Sequence, residues 1–314
     1  MLTKNRFVLV KEEATYGTDP TPTPSANAIE VMNFDISYEG DKQERDTMRN
    51  NISPLSPLMG KRWIKCSFDV EIKGGGTKGT ASRVGDLLEA CGFAEVVSAG
   101  SSVTYSPANP QSHKSVTIYA YDQVSSSSSI LHKITGVRGT MSLKIEAGGI
   151  GIMSFDMKGL YNAPTDVVNP TAPTYETTLP PIVESSLFTL NSVNSLIVQA
   201  VNIDLNNEIV EQDDINSVGG IKGFIITARK PSGSLNPEAV SMSTYNFQSD
   251  FVGATARALS LVIGSANGNK LTITAPKLTL DSVGDGDRNG LRALDIPFSL
   301  SKDAGNDELI LKFE

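Results

Sequence analysis

The clearest periodicity in the chain runs over residues 62–73. Trp63, Lys65, Ser67, Asp69 and Glu71 fall on one face, and Ile64, Cys66, Phe68, Val70 and Ile72 on the other. That pattern predicts an antiparallel strand with one dry side and one wet side. Similar alternation predicts strands over 6–10, 31–38 and 116–122, and a hairpin of 134–145 with 150–160 around Gly148-Gly149. Helical spacing is best over 80–93, where Val84, Leu87, Leu88 and Cys91 share a face and Gly92 supplies a stop.

The plan then recurs. Asn33-Phe34-Asp35-Ile36 returns as Asn202-Ile203-Asp204-Leu205. That copy lies in a predicted strand over 196–206, followed by a strand over 221–229, a weaker helix from Pro237 toward Phe251, and a strand over 257–264. A closing hairpin of 271–281 with 291–300 and an edge strand over 308–313 complete the second half. The expected fold is mainly β, with two tandem β-sandwich or barrel modules, each with a flanking α-helix. The boundaries read as an N-terminal arm (1–30), a first module (31–165), a Pro-rich linker (166–184) and a second module (185–314). Residues 162–181 hold five of the sixteen prolines.

Two connections are too charged and too long to be simple turns. Residues 39–61 make an excursion of mixed sign, with Asp41, Lys42, Glu44, Arg45, Asp46 and Arg49 as candidate contact residues between identical neighbours. Its counterpart over 207–220 is shorter and acidic, with Glu208, Glu211, Asp213 and Asp214. In the arm, Pro20, Pro22 and Pro24 cannot donate to a ladder, so this stretch is expected to lie extended across a surface or a neighbour.

Composition narrows the function. The 314 residues are 39% hydrophobic, enough for two cored modules of about 150 residues. The net charge of −8 is uneven: residues 1–170 hold 17 basic against 18 acidic side chains, and residues 171–314 hold 10 against 17. Seven of the eight net negative charges therefore lie in the second half. Such a chain lacks the cations that displace counterions from a phosphate backbone. The opening residues are too short and polar for a signal peptide, and no apolar run reaches membrane-span length, so synthesis in a cytosol without membrane attachment is expected.

Catalytic chemistry finds little support. His113 and His132 sit in or beside polar loops, with no nucleophile at a suggestive spacing. Cys66 and Cys91 read as small buried residues. Asp285-Gly286-Asp287-Arg288-Asn289-Gly290 matches the first half of a calcium loop, but Ile296 stands where a bidentate Glu is needed. A tight hairpin turn is the better reading. No cofactor and no catalytic residue is expected.

Glu13-Ala14-Thr15-Tyr16-Gly17-Thr18-Asp19-Pro20-Thr21-Pro22, followed by Ala28-Ile29 and the first strand, resembles the tail tube (major tail) proteins of long-tailed, non-contractile bacteriophages. Ile134-Thr135-Gly136-Val137-Arg138-Gly139 through Phe155-Asp156-Met157-Lys158-Gly159 is a second match, and within the arm Tyr16, Gly17, Asp19 and Pro20 are its candidate functional residues. The resemblance implies a structural, non-enzymatic virion subunit assembled in the host cytoplasm. It implies a β-sandwich whose strands join between subunits into a continuous inner barrel. The 39–61 excursion and the arm would reach the adjacent ring. Two fused modules would make a trimeric, pseudo-hexameric ring around a lumen that conducts DNA without binding it specifically. Partners would be the chain itself, a tape measure protein, and tail terminator and distal tail proteins. The alternatives are a tube or tail-end ring protein of a contractile injection system, and a carbohydrate-binding β-sandwich surface protein. The last would favour exposed aromatics, and the chain has one Trp.

Overall fold

A computed structural model describes residues 4–314. The chain enters as β1 (Arg6–Glu12), one helical turn α1 (Pro24–Asn27) and β2 (Ala28–Ile29). Next come β3 (Met32–Gln43), β4 (Leu58–Glu71), α2 (Gly85–Ala90), β5 (Phe93–Ser98) and β6 (Ser102–Pro107). Then follow β7 (Val116–Gln123), the 19-residue β8 (Ser128–Glu146), β9 (Ile152–Leu160) and β10 (Thr165–Val168). The second half contains β11 (Leu187–Leu190), β12 (Val198–Asp204), β13 (Asn207–Asp213), β14 (Ile221–Arg229) and β15 (Ser232–Pro237). It ends with α3 (Phe247–Val252), β16 (Arg257–Ile263), β17 (Leu271–Leu280), β18 (Gly284–Arg288), β19 (Leu291–Ser301) and β20 (Ile310–Phe313).

The molecule is mainly β, and its paired strands run antiparallel. In the first half β3 pairs with β4, β4 with β9, β9 with β8, β8 with β7 and β10, and β7 with β1. In the second, β12 pairs with β15, β15 with β19, β19 with β17, β17 with β16 and β20, and β16 with β11. Two seams cross between the halves. Ala200–Asp204 of β12 lie against Ser142–Glu146 of β8, and β20 fits between β17 and β6. The apolar sides of the strands share one continuous core, with Phe68, Met141 and Phe155 from one half and Ile203, Leu235 and Phe298 from the other.

The structure departs from the sequence expectations at several places. The 80–93 helix shrinks to Gly85–Ala90, because Glu176 accepts from Ser82 Oγ and the Arg83 amide and holds the preceding residues in a turn. The helix expected from Pro237 is absent there. Pro237 closes strand β15 opposite Val198, and the helix starts at Phe247 after Asn246, whose side chain accepts from the Ser249 amide. The 308–313 strand is internal rather than an edge. Much of the 39–61 excursion is ladder, reaching Gln43 opposite Leu58, so only 44–57 is irregular. Similarly, 207–213 is a strand, paired with β14. Inside 166–184, the first residues extend β10 against β8.

Candidate functional site

The arm is tied to its own chain. Glu13 is buried among strands, and its carboxylate accepts from Gly17 N (2.7 Å), Ser115 Oγ (2.7 Å), Thr117 Oγ1 (2.6 Å) and Gly136 N (2.7 Å). Four donors offset the cost of burying the charge. Gly17 takes a φ of +73°, which lets the chain turn back tightly enough for its amide to reach Glu13.

Tyr16 projects from the same turn into the space between the halves. Its hydroxyl donates to the Gly136 carbonyl (2.8 Å) and accepts from the Phe224 amide of β14 (2.7 Å). A Cβ at Gly136 or Gly223 would stand 2.9 or 2.5 Å from the ring, so both positions need glycine for the ring to fit. Burial pushes the Tyr16 hydroxyl up to about 12. Arg138 covers the ring at 4.9 Å and donates to the carbonyls of Lys114, Phe224 and His113. Further along, Asp19 accepts from Lys133 Nζ (2.7 Å), Tyr119 Oη and the Thr21 amide. Burial works against its charge, but these donors outweigh it and hold the carboxyl below the usual range. The Pro20 carbonyl accepts from Lys11 Nζ at 2.9 Å.

The two charged excursions lie side by side. Lys61 at the base of the first donates to Asp213 at 2.6 Å, and Gly219 packs against Arg62. Asp41 and Lys42 are exposed on β3; Glu44, Arg45, Asp46 and Arg49 are exposed in 44–57, and among the described residues none of the six forms an ion pair. Met48 and Ile52 of that segment stand free in solvent. On the second excursion Glu208 is exposed and Glu211 half-buried on β13, while Asp214 caps a turn by accepting from Asn216 N (3.0 Å) and Ser217 Oγ (2.9 Å). The Asn216 amide and the Ser217 hydroxyl keep its carboxyl below the usual range.

A third surface emerges from the ladders. On the side of the sheet away from the core, Asp35, Ser67, Asp156 and Thr140 are successive cross-strand partners on β3, β4, β9 and β8. On the second half Asp204, Ser232, Ser299 and Thr279 form the same kind of row on β12, β15, β19 and β17. Asp69 beside the first row accepts from Asn33 Nδ2 (2.7 Å) and Ser154 Oγ (2.5 Å), and Asp281 beside the second accepts from Ser299 Oγ. Lys65 pairs with Asp156 at 3.1 Å. This is a face of small hydroxyls and carboxylates, on which Ser67, Asp69, Thr140, Ser142, Asp156 and Asp204 border an open depression.

The remaining candidates have structural surroundings. His113 Nε2 is buried without a partner, and burial lowers its pKa. His132 meets Tyr38 Oη (2.6 Å) and Asp122 (3.3 Å). Cys66 and Cys91 are buried free thiols, pushed up by burial. Asp285 pairs with Arg292 at 2.8 Å, and Asn289 and Gly290, both at positive φ, turn the β18–β19 hairpin.

A family model for "Phage tail tube protein" matches residues 3–300. The chain belongs to that family. Membership gives it a structural role in the tail tube and makes it a virion component, one of a family of self-assembling proteins that work with other tail components. No curated protein matches the chain. Among the described residues no helix is long and apolar enough to cross a membrane. In tail tube terms, the sequence reading singled out the arm but missed Glu13 and Arg138 as the groups that fasten it. It also left the Asp35 and Asp204 rows unassembled, although the Ser67-Asp69 alternation carried half of that signal.

Proposed function

We propose that the chain is the repeating subunit of a non-contractile tail tube, that its halves are tandem tube modules, and that three copies close a ring of six modules. One observation carries the reading. β1, β3, β4, β7, β8, β9 and β10 have the same chain order and the same mutual neighbours as β11, β12, β15, β16, β17, β19 and β20. The excursions fit the same scheme, since one leaves between β3 and β4 and the other between β12 and β15, the second and third strands of each set. Matching halves suit equivalent places on one ring.

In this reading the Ser, Thr and Asp face lines the lumen. Asp35, Asp69, Glu71, Glu146, Asp156, Asp204 and Asp281 outnumber Lys65, Lys144, Lys158 and Lys277 there and repel the phosphates of DNA in transit. Residues 44–57, with Asp41 and Lys42 at their base, reach the adjacent ring, and the acidic 207–220 segment supports them. The arm is a brace for its own subunit. Assembly takes place in the host cytoplasm, against a tape measure protein and between terminator and distal tail proteins. Electron microscopy of the purified protein tests the whole. Hollow filaments built of threefold rings are expected; particles that stay monomeric at high concentration would overturn it.

A further inference from the structure

We propose that β3 of one copy pairs antiparallel with β18 of the next, repeating between copies the β8–β12 ladder that joins the halves within one. The inference rests on the tandem-module reading above and names the edges that close the ring.

The internal ladder supplies the template. Within the chain Asn202 of β12 stands opposite Lys144 of β8. Asp35 and Asp204 begin the two matching rows, so Asn33 corresponds to Asn202. Asp156 and Ser299 hold the same place in those rows. Four residues before them, Ile152 and Asp295 face Lys144 and Gly284. Gly284 of β18 therefore stands where Lys144 stands in the first half.

The difference lies on the outer side. Lys144 has Asn202 beyond it; among the described residues Gly284 has nothing beyond it, because β18 pairs only with β19. Likewise β3 pairs only with β4. Beyond that ladder the Phe34 carbonyl accepts a single long bond from Arg6 Nη1, at 3.3 Å. One repeat thus ends in two open edges, and each is the counterpart of a strand that is paired at the internal seam. An open edge presents unpaired N–H and C=O groups, and a second copy offers the complementary edge. Such head-to-tail pairing closes into a ring when the rotation per copy divides the circle. The register is set to within one residue, since β17–β18 spends five residues from Thr279 to Gly284 where β19 spends four from Ser299 to Asp295.

Disulfide trapping in assembled full-length protein tests this. Cysteine replaces Asn33 together with Val283 or Gly284, and Asp35 together with Asp281 or Ser282, giving four double variants that cover both registers. Asn202→Cys with Lys144→Cys is the internal control, and native Cys66 and Cys91 are buried. On oxidation, at least one of the four is expected to give covalent dimers and trimers and no larger species, while the control closes within one chain. Monomers alone from all four, in tubes visible by microscopy and with the control closed, would overturn the β3–β18 junction and leave the tube reading standing. A ladder running past trimer would keep the junction and overturn the three-copy ring. Failure of the unmodified protein to form tubes would overturn both.

Discussion

Lys61 Nζ lies 2.6 Å from Asp213 Oδ2, and this pair brings the long excursion of the first half against the hairpin of the second. Both groups are well exposed, so water and salt screen their attraction. Asp213→Ala is expected to leave the denaturant midpoint of the single chain nearly unchanged. If the excursions act together in stacking, the same variant should slow polymerisation at low salt, measured by light scattering.

Tyr16 makes the opposite case, since its hydroxyl serves two buried backbone groups in different halves. Tyr16→Phe keeps the ring and leaves both groups unsatisfied. A loss of about 1–3 kcal/mol in urea unfolding is expected, with an unchanged slope. A neutral result would mean that water replaces the hydroxyl.

Asp86 carries a pH dependence. Its carboxyl accepts from the Glu12 amide at 3.2 Å, yet burial, aided by the nearby charges of Glu12 and Glu95, raises it to about 6. The folded state binds this proton more tightly than the unfolded chain. The corresponding stability is fully present below the ordinary carboxylate pKa and is lost as pH rises through about 6. Asp86→Asn should match the parent near pH 4 and exceed it by roughly 1–2 kcal/mol at pH 7.5. Parallel unfolding curves at the two pH values decide it; equal stabilities at pH 7.5 would refute the assignment.

Removing 44–57 and joining Gln43 to Leu58 through a short turn cuts at the last register pair of the ladder. The trimmed chain should unfold with the parent's midpoint, because the excised segment contributes nothing to the core. It should also fail to form filaments; normal tubes from this variant would rule out a stacking role for the segment.

The sequence revealed the strands best where one side faces the core. Residues 62–73 and the hairpin of β8 with β9 match their alternation closely, because burial on one face forces period two. It misled where a local signal competed with pairing. Pro237 looked like a helix start, but the ladder with β12 claimed it as a strand end. The 80–93 spacing looked like a longer helix, but distant Glu176 captured its first turn. Of the candidate residues, Tyr16 and Asp19 were legible as part of one motif and Gly136 as part of another, while Phe224 and Lys133, and the pairing of Tyr16 with Gly136, were not. Nothing local marks a backbone amide 208 residues away as the donor to that hydroxyl.

Residues 44–57 have one further consequence. Apart from the Ser53 amide on the Asn51 side chain, this stretch is exposed and scarcely hydrogen-bonded. Fixing it against a neighbour costs about 1–2 kcal/mol of backbone entropy per residue. If it reaches the next ring, the first two rings bear that cost with no finished end to receive them, whereas every later ring docks onto one already set. Growth should then show a lag that fragments of completed tube abolish, so that few filaments start and those that start grow long.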